Sequence, residues 1–286
     1  MLRLLQIEFL KLRYSRASRV LILIYFGLLT SIALIAAIKF DIGIFKFHLA
    51  EQGIFNFPYI WHFNTYIAAI FKFFLLLVIV SMMSNEYSYK TLKQNLIDGL
   101  SKKEFILSKF YTVVVLATIS TVFVFLVSLI LGIIYSDFNE TGIIFSDLDY
   151  LIAFFIKLTG FFSFGLFMGV LVKRSAFAVG GIVVWFIIES ITKGFLFWGY
   201  NSNTTLKNDV ISDHVAAIMQ FFPLESMANL IKQPFTRLNA VQSIGKQVGQ
   251  DFGYNYAVQF QDVIIVLIWT GLFIYGAYAL LKKRDL

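Results

Sequence analysis

Long apolar stretches, separated by short polar stretches, run through the whole chain. Six of them are long enough to cross a bilayer: Val20–Ile38, Phe63–Ser84, Phe110–Tyr135, Tyr150–Val172, Ala176–Trp198 and Val263–Leu281. Crossing roughly 30 Å of hydrocarbon takes about 20 helical residues. A helix satisfies its own backbone hydrogen bonds in lipid, whereas barrel strands would be shorter and would alternate in polarity. The pattern therefore predicts an all-α integral membrane protein with six transmembrane helices.

Composition supports this interpretation. Of the 286 residues, 59% are hydrophobic and only 14% are charged, and the mean hydropathy is +0.78. Soluble domains usually carry about 25% charged residues. The first apolar stretch follows basic residues, as in a signal peptide. Its length, its long amphipathic lead-in and the lack of a clear small-residue cleavage site instead favour a retained helix.

The basic residues are distributed unevenly between the two sides of the predicted bundle. Fifteen of the 24 Lys and Arg residues fall on one side: Arg3, Lys11, Arg13, Arg16, Arg19, Lys90, Lys93, Lys102, Lys103, Lys109, Lys173, Arg174, Lys282, Lys283 and Arg284. Basic loops resist translocation, so this side and both termini are expected to be cytoplasmic. We expect a multi-pass protein of the cell inner or plasma membrane. This distribution explains the net charge of +7 without a nucleic-acid partner.

Three polar segments have recognisable organisation. Residues 1–19 predict an amphipathic helix on the cytoplasmic membrane face, or an extension of the first span. Residues 85–109 predict an elbow of two helices: one from Asn85 to Asp98, ended by Gly99, and a second opened by a capping box of Ser101 and Glu104. The outer segment 199–262 predicts short helices at 209–221 and 224–231, divided by Pro223.

Motifs for catalysis and metal binding are missing from the sequence. There is no Gly-x-x-x-x-Gly-Lys-Ser/Thr loop to hold nucleotide phosphates, and Gly245-Lys246 lacks the rest of that motif. His48, His62 and His214 have no ligand spacing, and the chain has no cysteine. We therefore expect neither an enzyme nor a metal or cofactor site in this chain.

Four ionisable residues interrupt the apolar stretches: Lys72, Lys157, Glu189 and Lys193. All four fall in the outer half of the bilayer, where an unpaired charge costs several kcal/mol. Glu189 and Lys193 have the spacing of a helical ion pair, so they could neutralise each other while the other two lysines extend toward water. Alternatively, the four residues line a hydrated cavity that receives an anionic or zwitterionic group of a cargo.

Span four contains Gly160, Gly165 and Gly169, which include a Gly-x-x-x-Gly pair. Small residues at this spacing let another helix approach closely. The partner could be a helix of the same bundle or a second subunit, and packing within the bundle is favoured.

The elbow resembles the membrane subunit of type-2 ABC exporters. That family has a Glu, a Thr about five residues later, an apolar stretch, a Ser followed by a basic residue, and a later Lys. Those places are taken here by Glu86, Thr91, Leu96, Ser101, Lys102 and Lys109. The N-terminal IEFLKLR, the outer FFPLESMANLI and the C-terminal KKRDL are also similar. Lys90 departs from the pattern, because many members have Gly before the Thr.

The resemblance implies that the elbow is a coupling helix that docks on a separate ABC ATPase subunit. Two ATPases, which bind ATP and Mg, would join two permeases in a homo- or heterodimer within the lipid bilayer. The docking residues would be Asn85, Glu86, Tyr87, Thr91, Leu96, Gly99, Ser101, Lys102, Glu104 and Lys109. In similar proteins spans two and five line the pathway, which would place Lys72, Glu189 and Lys193 near it and Lys157 at the periphery.

The expected function is that of a permease subunit of an ATP-driven exporter. Two alternatives come from other classes: a membrane scaffold that anchors a cytoplasmic partner without transport, and an ATP-independent carrier or channel. The intramembrane charges favour transport over a scaffold, and the elbow together with the lack of an obvious internal repeat favours ATP coupling over a carrier. The sequence does not identify the cargo.

Overall fold

The computed structural model describes residues 2–37, 40–42, 45–47, 53–138, 140–203, 208–238, 241 and 256–284. In chain order its elements are α1 (Leu2–Tyr14), α2 (Arg16–Ala37), β1 (Phe40–Ile42), β2 (Phe45–Phe47), α3 (Tyr59–Ser88), α4 (Thr91–Ile97), α5 (Lys102–Tyr135), α6 (Thr141–Ile144), α7 (Asp149–Val172), α8 (Ser175–Asn203), α9 (Asn208–Met219), α10 (Pro223–Asn229), a 3-10 turn (Phe235–Arg237) and α11 (Phe260–Lys283). Helices α2, α3, α5, α7, α8 and α11 are long and apolar enough to cross a membrane. The prediction of six transmembrane helices is confirmed.

Between α2 and α3 lies a small element that the sequence pattern did not predict. Strands β1 and β2 pair antiparallel, with Phe40 opposite Phe47 and Ile42 opposite Phe45. The paired segments are only three residues each. They form a loop hairpin beside an otherwise helical fold.

Helix α7 is the centre of the bundle and packs against α3, α5, α8 and α11. In its most apolar window 78% of the residues are buried, compared with 17% in each of α2 and α8. These two helices therefore lie at the periphery, and their exposed apolar side chains suit a lipid environment.

Glycines on α7 allow its neighbours to approach closely. A Cβ added at Gly160 would lie 2.9 Å from Val266 Cγ1 of α11, and one at Gly169 would lie 3.0 Å from Met83 Cβ of α3. Gly165 lies against α3 in the same way. The three glycines therefore serve packing within the bundle.

After α8 the chain returns onto the bundle. Helices α9 and α10 overlap the two predicted helical stretches, and each begins one residue earlier and ends two residues earlier than predicted. Helix α10 packs against α7, α8 and α11, and Trp269 Nε1 donates to the Phe221 carbonyl at 2.9 Å. Of the predicted segment 199–262, residues 204–207, 239–240 and 242–255 lie outside the described residues, as do His48 and the Gly245-Lys246 pair.

Four segments that carry basic residues meet at one end of the bundle. We call this the basic end: α1, α4, the turn Lys173–Arg174 between α7 and α8, and Arg284 at the end of α11. Arg284 donates to Tyr87 Oη at 3.1 Å and to the Leu171 carbonyl at 2.9 Å, and Lys102 Nζ donates to the Arg284 carbonyl at 2.9 Å. The first and last helices therefore approach the same elbow.

Candidate functional site

The elbow at the basic end consists of the end of α3, the short helix α4 and the start of α5. Its first helix differs from the prediction, because residues 85–88 continue α3 and α4 begins only at Thr91. The break lies at Lys90, whose φ of 55° is left-handed and interrupts the helical backbone. Gly99 ends the helical segment with a φ of 94°, as expected of a glycine at that position.

The capping box at the start of α5 is confirmed. The Glu104 backbone N–H donates to Ser101 Oγ at 3.2 Å, and the Ser101 backbone N–H donates to Glu104 Oε2 at 3.0 Å. The two bonds satisfy donors that a helix start leaves unpaired. The turn from α4 into α5 is therefore fixed by local contacts.

A buried ion-pair network lies beneath the elbow and joins α1, α3 and α5. Lys109 Nζ lies 2.6 Å from Glu8 Oε2 and 2.5 Å from Glu86 Oε1. Lys11 Nζ adds a contact of 2.7 Å to the same Glu86 oxygen. Lys109 is fully buried, and Glu86 and Glu8 are 2% and 4% exposed. Two carboxylates and two ammonium groups make the network neutral, which burial of charge requires.

Thr91 extends this network to α4. Its Oγ1 donates to Glu86 Oε2 at 2.6 Å, so both Glu86 oxygens are engaged by different helices. Burial acts to lower the pKa of Lys11, but the hydrogen bond that Lys11 donates to Glu86 and the charges of Glu8 and Glu86 outweigh it and raise that pKa above its ordinary value. The ammonium form of Lys11 is thus held by the two carboxylates.

The residues predicted to dock an ATPase divide into three groups by burial. Glu86 and Lys109 are buried and can hold the elbow but cannot touch a partner. Asn85, Tyr87, Thr91, Leu96 and Lys102 are half-buried, whereas Gly99, Ser101 and Glu104 are exposed. The sequence analysis missed Tyr89 and Ile97, which are 74% and 72% exposed at the elbow surface. The sequence signal that could have identified them is the presence of large nonpolar residues in an otherwise polar segment.

Sequence analysis also assigned no role to Glu8 and Lys11 beyond the lead-in IEFLKLR. Their spacing of three residues on a helix was the available signal, and their side chains are indeed paired at 3.5 Å. Their partners on α3 and α5 could not be read from the local pattern.

The four intramembrane charges do not pair as their spacing suggested. Lys193 Nζ lies 2.5 Å from Glu225 Oε1 rather than pairing with Glu189. Glu189 instead accepts hydrogen bonds from Trp185 Nε1 at 2.6 Å and from the backbone N–H groups of Leu224 and Glu225 at 3.1 and 3.0 Å. The unpaired N–H groups at the start of α10 compete for the carboxylate, because the first turn of a helix has no internal acceptors. Glu189 and Lys193 therefore hold α10 against α8.

Lys72 and Lys157 share a cavity of about 680 Å³ between α3, α7, α8 and α10. Lys157, predicted to lie at the periphery of the pathway, is on the central helix α7, and its side chain is only 4% exposed. Of the three predicted pathway residues, Lys72 lines the cavity, whereas Glu189 and Lys193 do not.

The histidines that the structure describes are engaged separately. His62 stacks on Tyr150 at 4.3 Å between ring centroids and contacts the Lys232 carbonyl at 2.8 Å, whereas His214 stacks on Tyr200. Within the described ranges no group of three or more metal-binding side chains comes together.

Comparison with known proteins agrees with this architecture. The family model of ABC-2 family transporter proteins matches residues 4–191, more than half of the chain. The matched range contains α1, the elbow with its buried network, and spans α2 to α7, and it extends into α8. Comparison with curated protein sequences gives no match. The resemblance seen at the elbow is confirmed: the chain belongs to the ABC-2 transporter family and is a multi-pass membrane permease.

Proposed function

We propose that this permease is the membrane subunit of an ATP-driven exporter and docks a separate ABC ATPase at its basic end. The observation that carries the proposal is the elbow: an exposed helix, α4, anchored to α1, α3 and α5 by a buried neutral ion-pair network. We place this end in the cytoplasm because it holds most of the basic residues.

The outer face of the elbow has the composition of a docking surface. Tyr89 and Ile97 expose large nonpolar side chains, and the exposed lysines Lys90 and Lys93 lie between them in the sequence. The cores of protein interfaces are enriched in aromatic and apolar groups, and isolated lysines suit a surrounding rim. A cytoplasmic partner that covers Tyr89 and Ile97 would bury nonpolar surface that water otherwise contacts.

The network supplies the mechanical connection that coupling needs. Leu92 is buried, and Thr91 is tied to Glu86 of α3, which shares Lys109 of α5. Because the contacts from Thr91 to Glu86 and from Lys109 to Glu86 are short, at 2.6 and 2.5 Å, a displacement of α4 would carry the ends of α3 and α5 with it. ATP binding and hydrolysis can shift the permease between inward- and outward-facing states only through contacts that differ between those states.

The proposed assembly has two permeases and two ATPases, with ATP and Mg bound on the ATPases. The lightly buried helices α2 and α8 leave apolar faces for lipid and for a second permease. Whether that second permease is a copy of this chain or a related one is decided by the proteins that co-purify.

The test is co-purification of an ABC ATPase with the tagged permease from native membranes, measured by mass spectrometry and by ATP hydrolysis. Tyr89→Ala combined with Ile97→Ser is expected to reduce the bound ATPase at least tenfold. Glu86→Ala is expected to reduce it too, indirectly, by releasing α4. Phe260→Ala is the matched control, since Phe260 is 77% exposed at the start of α11, away from the elbow.

Two results would contradict the proposal. One is full ATPase recovery with the elbow double variant. The other is an ATPase that stays bound but whose hydrolysis does not depend on the permease, which would favour a scaffold. If purified permease without any ATPase moved cargo down its gradient, a carrier or channel would replace the exporter.

A further inference from the structure

The cavity that contains Lys72 and Lys157 has positive charge without a matching carboxylate. Lys72 lines it from α3 and Lys157 from α7, and its lining contains no Asp or Glu. Within the part of the chain that the structure describes, no carboxylate forms an ion pair within 4 Å of Lys72 or Lys157. Unpaired charge at this depth is costly, so an anion that entered the cavity would be favoured.

The two ammonium groups make only weak contacts with the protein. Lys72 Nζ lies 4.6 Å from the centroid of the Phe161 ring, and Lys157 Nζ lies 3.4 Å from the Ala228 carbonyl. The first is a cation–π contact and the second is longer than a typical N–H···O bond. Both groups therefore retain donor capacity that a phosphate or carboxylate can use.

The nearby carboxylates are already committed to other partners. Glu189 accepts the N–H groups at the start of α10, and Glu225 pairs with Lys193. These contacts fix α10 as one wall of the cavity and keep both acids away from the lysines. Neither Glu189 nor Glu225 therefore neutralises Lys72 or Lys157.

The cavity opens sideways between α3 and α8. Its lining includes Ile70 and Phe73 of α3 and Val183 and Phe186 of α8, all of which are exposed on the surface of the bundle. Exposed apolar side chains at such an opening suit contact with hydrocarbon. A ligand could therefore keep an apolar chain among them while its polar end reaches the lysines.

We propose that this cavity binds an anionic amphiphile, whose phosphate or carboxylate headgroup lies between Lys72 and Lys157 and whose hydrocarbon chain leaves between α3 and α8. The ligand is either a lipid of the surrounding bilayer or the exported cargo. Binding itself does not depend on the proposed function. Only its assignment as cargo rests on ATP coupling.

The experiment measures equilibrium binding to the purified full-length permease in dodecyl maltoside by native mass spectrometry. The probes are decyl phosphate, zwitterionic decyl phosphocholine and inorganic phosphate. Decyl phosphate is expected to bind at least tenfold more tightly than either of the others. Lys72→Gln and Lys157→Gln should each weaken its binding about tenfold, since each removes a charge-assisted hydrogen bond. Lys103→Gln, at an exposed position near the start of α5, removes the same charge and should bind like wild type.

Three results would overturn the proposal: equal affinity for decyl phosphocholine, equal affinity for inorganic phosphate, or unchanged affinity in both glutamine variants. The probe comparison uses wild-type protein and stays decisive if a variant fails to fold.

Displacement of decyl phosphate by phosphatidylglycerol in nanodiscs, but not by phosphatidylcholine, would identify a bilayer lipid. Stimulation of ATP hydrolysis in the complete complex by decyl phosphate would identify a cargo. Loss of ATPase association would leave the binding result untouched, so the two proposals fail separately.

Discussion

Replacing Lys109 with Met tests whether the buried network holds the elbow. Lys109 Nζ contacts Glu8 and Glu86 at 2.6 and 2.5 Å, and methionine has a similar length but no charge. The substitution would leave two carboxylates, both less than 5% exposed, with Lys11 as the remaining cation.

The expected loss of unfolding free energy is about 3 kcal/mol. Removal of one partner from a buried ion pair typically costs about 3–5 kcal/mol, because the other charge stays buried without compensation. We take the lower end, because Lys11 is partly exposed and can move toward the carboxylates. If Glu8→Gln and Glu86→Gln are added, only the partly exposed Lys11 still carries a charge in this network. This triple variant should be more stable than Lys109→Met alone, by about 1–2 kcal/mol.

The assay is reversible unfolding in mixed micelles of dodecyl maltoside and sodium dodecyl sulfate, followed by circular dichroism. Lys103→Met is the matched control, since it removes an exposed lysine from the same helix and should change stability by less than about 0.5 kcal/mol. The reasoning is refuted if Lys109→Met is no more destabilising than this control. It is also refuted if the carboxylate substitutions add their own costs to that of Lys109→Met instead of relieving it.

Three further predictions concern single positions. Lys90→Gly should stabilise the protein by about 1 kcal/mol, because φ is 55° at Lys90 and glycine adopts this backbone without strain; the unfolding assay measures it. Gly169→Leu should destabilise by about 1–3 kcal/mol in the same assay, because the new side chain meets Met83. Glu189→Ala should cost about 2–3 kcal/mol and speed trypsin cleavage near Lys232, because it removes the acceptor for the start of α10.

Each of the three substitutions has a control substitution at a comparable position. Lys93 lies inside helix α4, so Lys93→Gly should destabilise the protein by about 0.5–1 kcal/mol. If Lys93→Gly and Lys90→Gly both stabilised the protein, the left-handed φ of Lys90 would not explain the effect. A Cβ added at Gly180 would meet no neighbouring atom within 4 Å. If Gly180→Leu lowered the free energy of unfolding as much as Gly169→Leu, close packing at Gly169 would not explain the loss. Ser190→Ala, beside Glu189 and exposed, should leave the trypsin cleavage rate unchanged.

The spans and the elbow could be predicted because their signals are local. Twenty consecutive apolar residues, a glycine after a short helix, and a Ser three residues before a Glu each carry their meaning within one segment. Helices α3 and α5 and the capping box at Ser101 appeared where these patterns indicated.

Contacts between distant segments were not accessible in the same way. The spacing of Glu189 and Lys193 indicated a helical pair, but the N–H groups of α10, 35 residues away from Glu189, took the carboxylate. Lys109 pairs with Glu8 across 101 residues, which no periodicity encodes. The placement of Lys157 beside Lys72 likewise depends on how α7 packs on α3. A charged residue in an apolar stretch indicates that the charge needs a partner, but the packing of distant segments determines which group becomes that partner.

The ionic network also has a consequence for the order in which the protein is made. Glu8 is synthesised before the first span and Glu86 near the end of the second span, but the lysine that pairs with both is at position 109. Until the third span begins to leave the ribosome, the nascent chain contains the carboxylates of Glu8 and Glu86, and of the two network lysines only Lys11 is present. They must stay in water during this time. The buried network can therefore form only after the start of α5 has been synthesised, and a nascent chain stopped before position 109 would lack it.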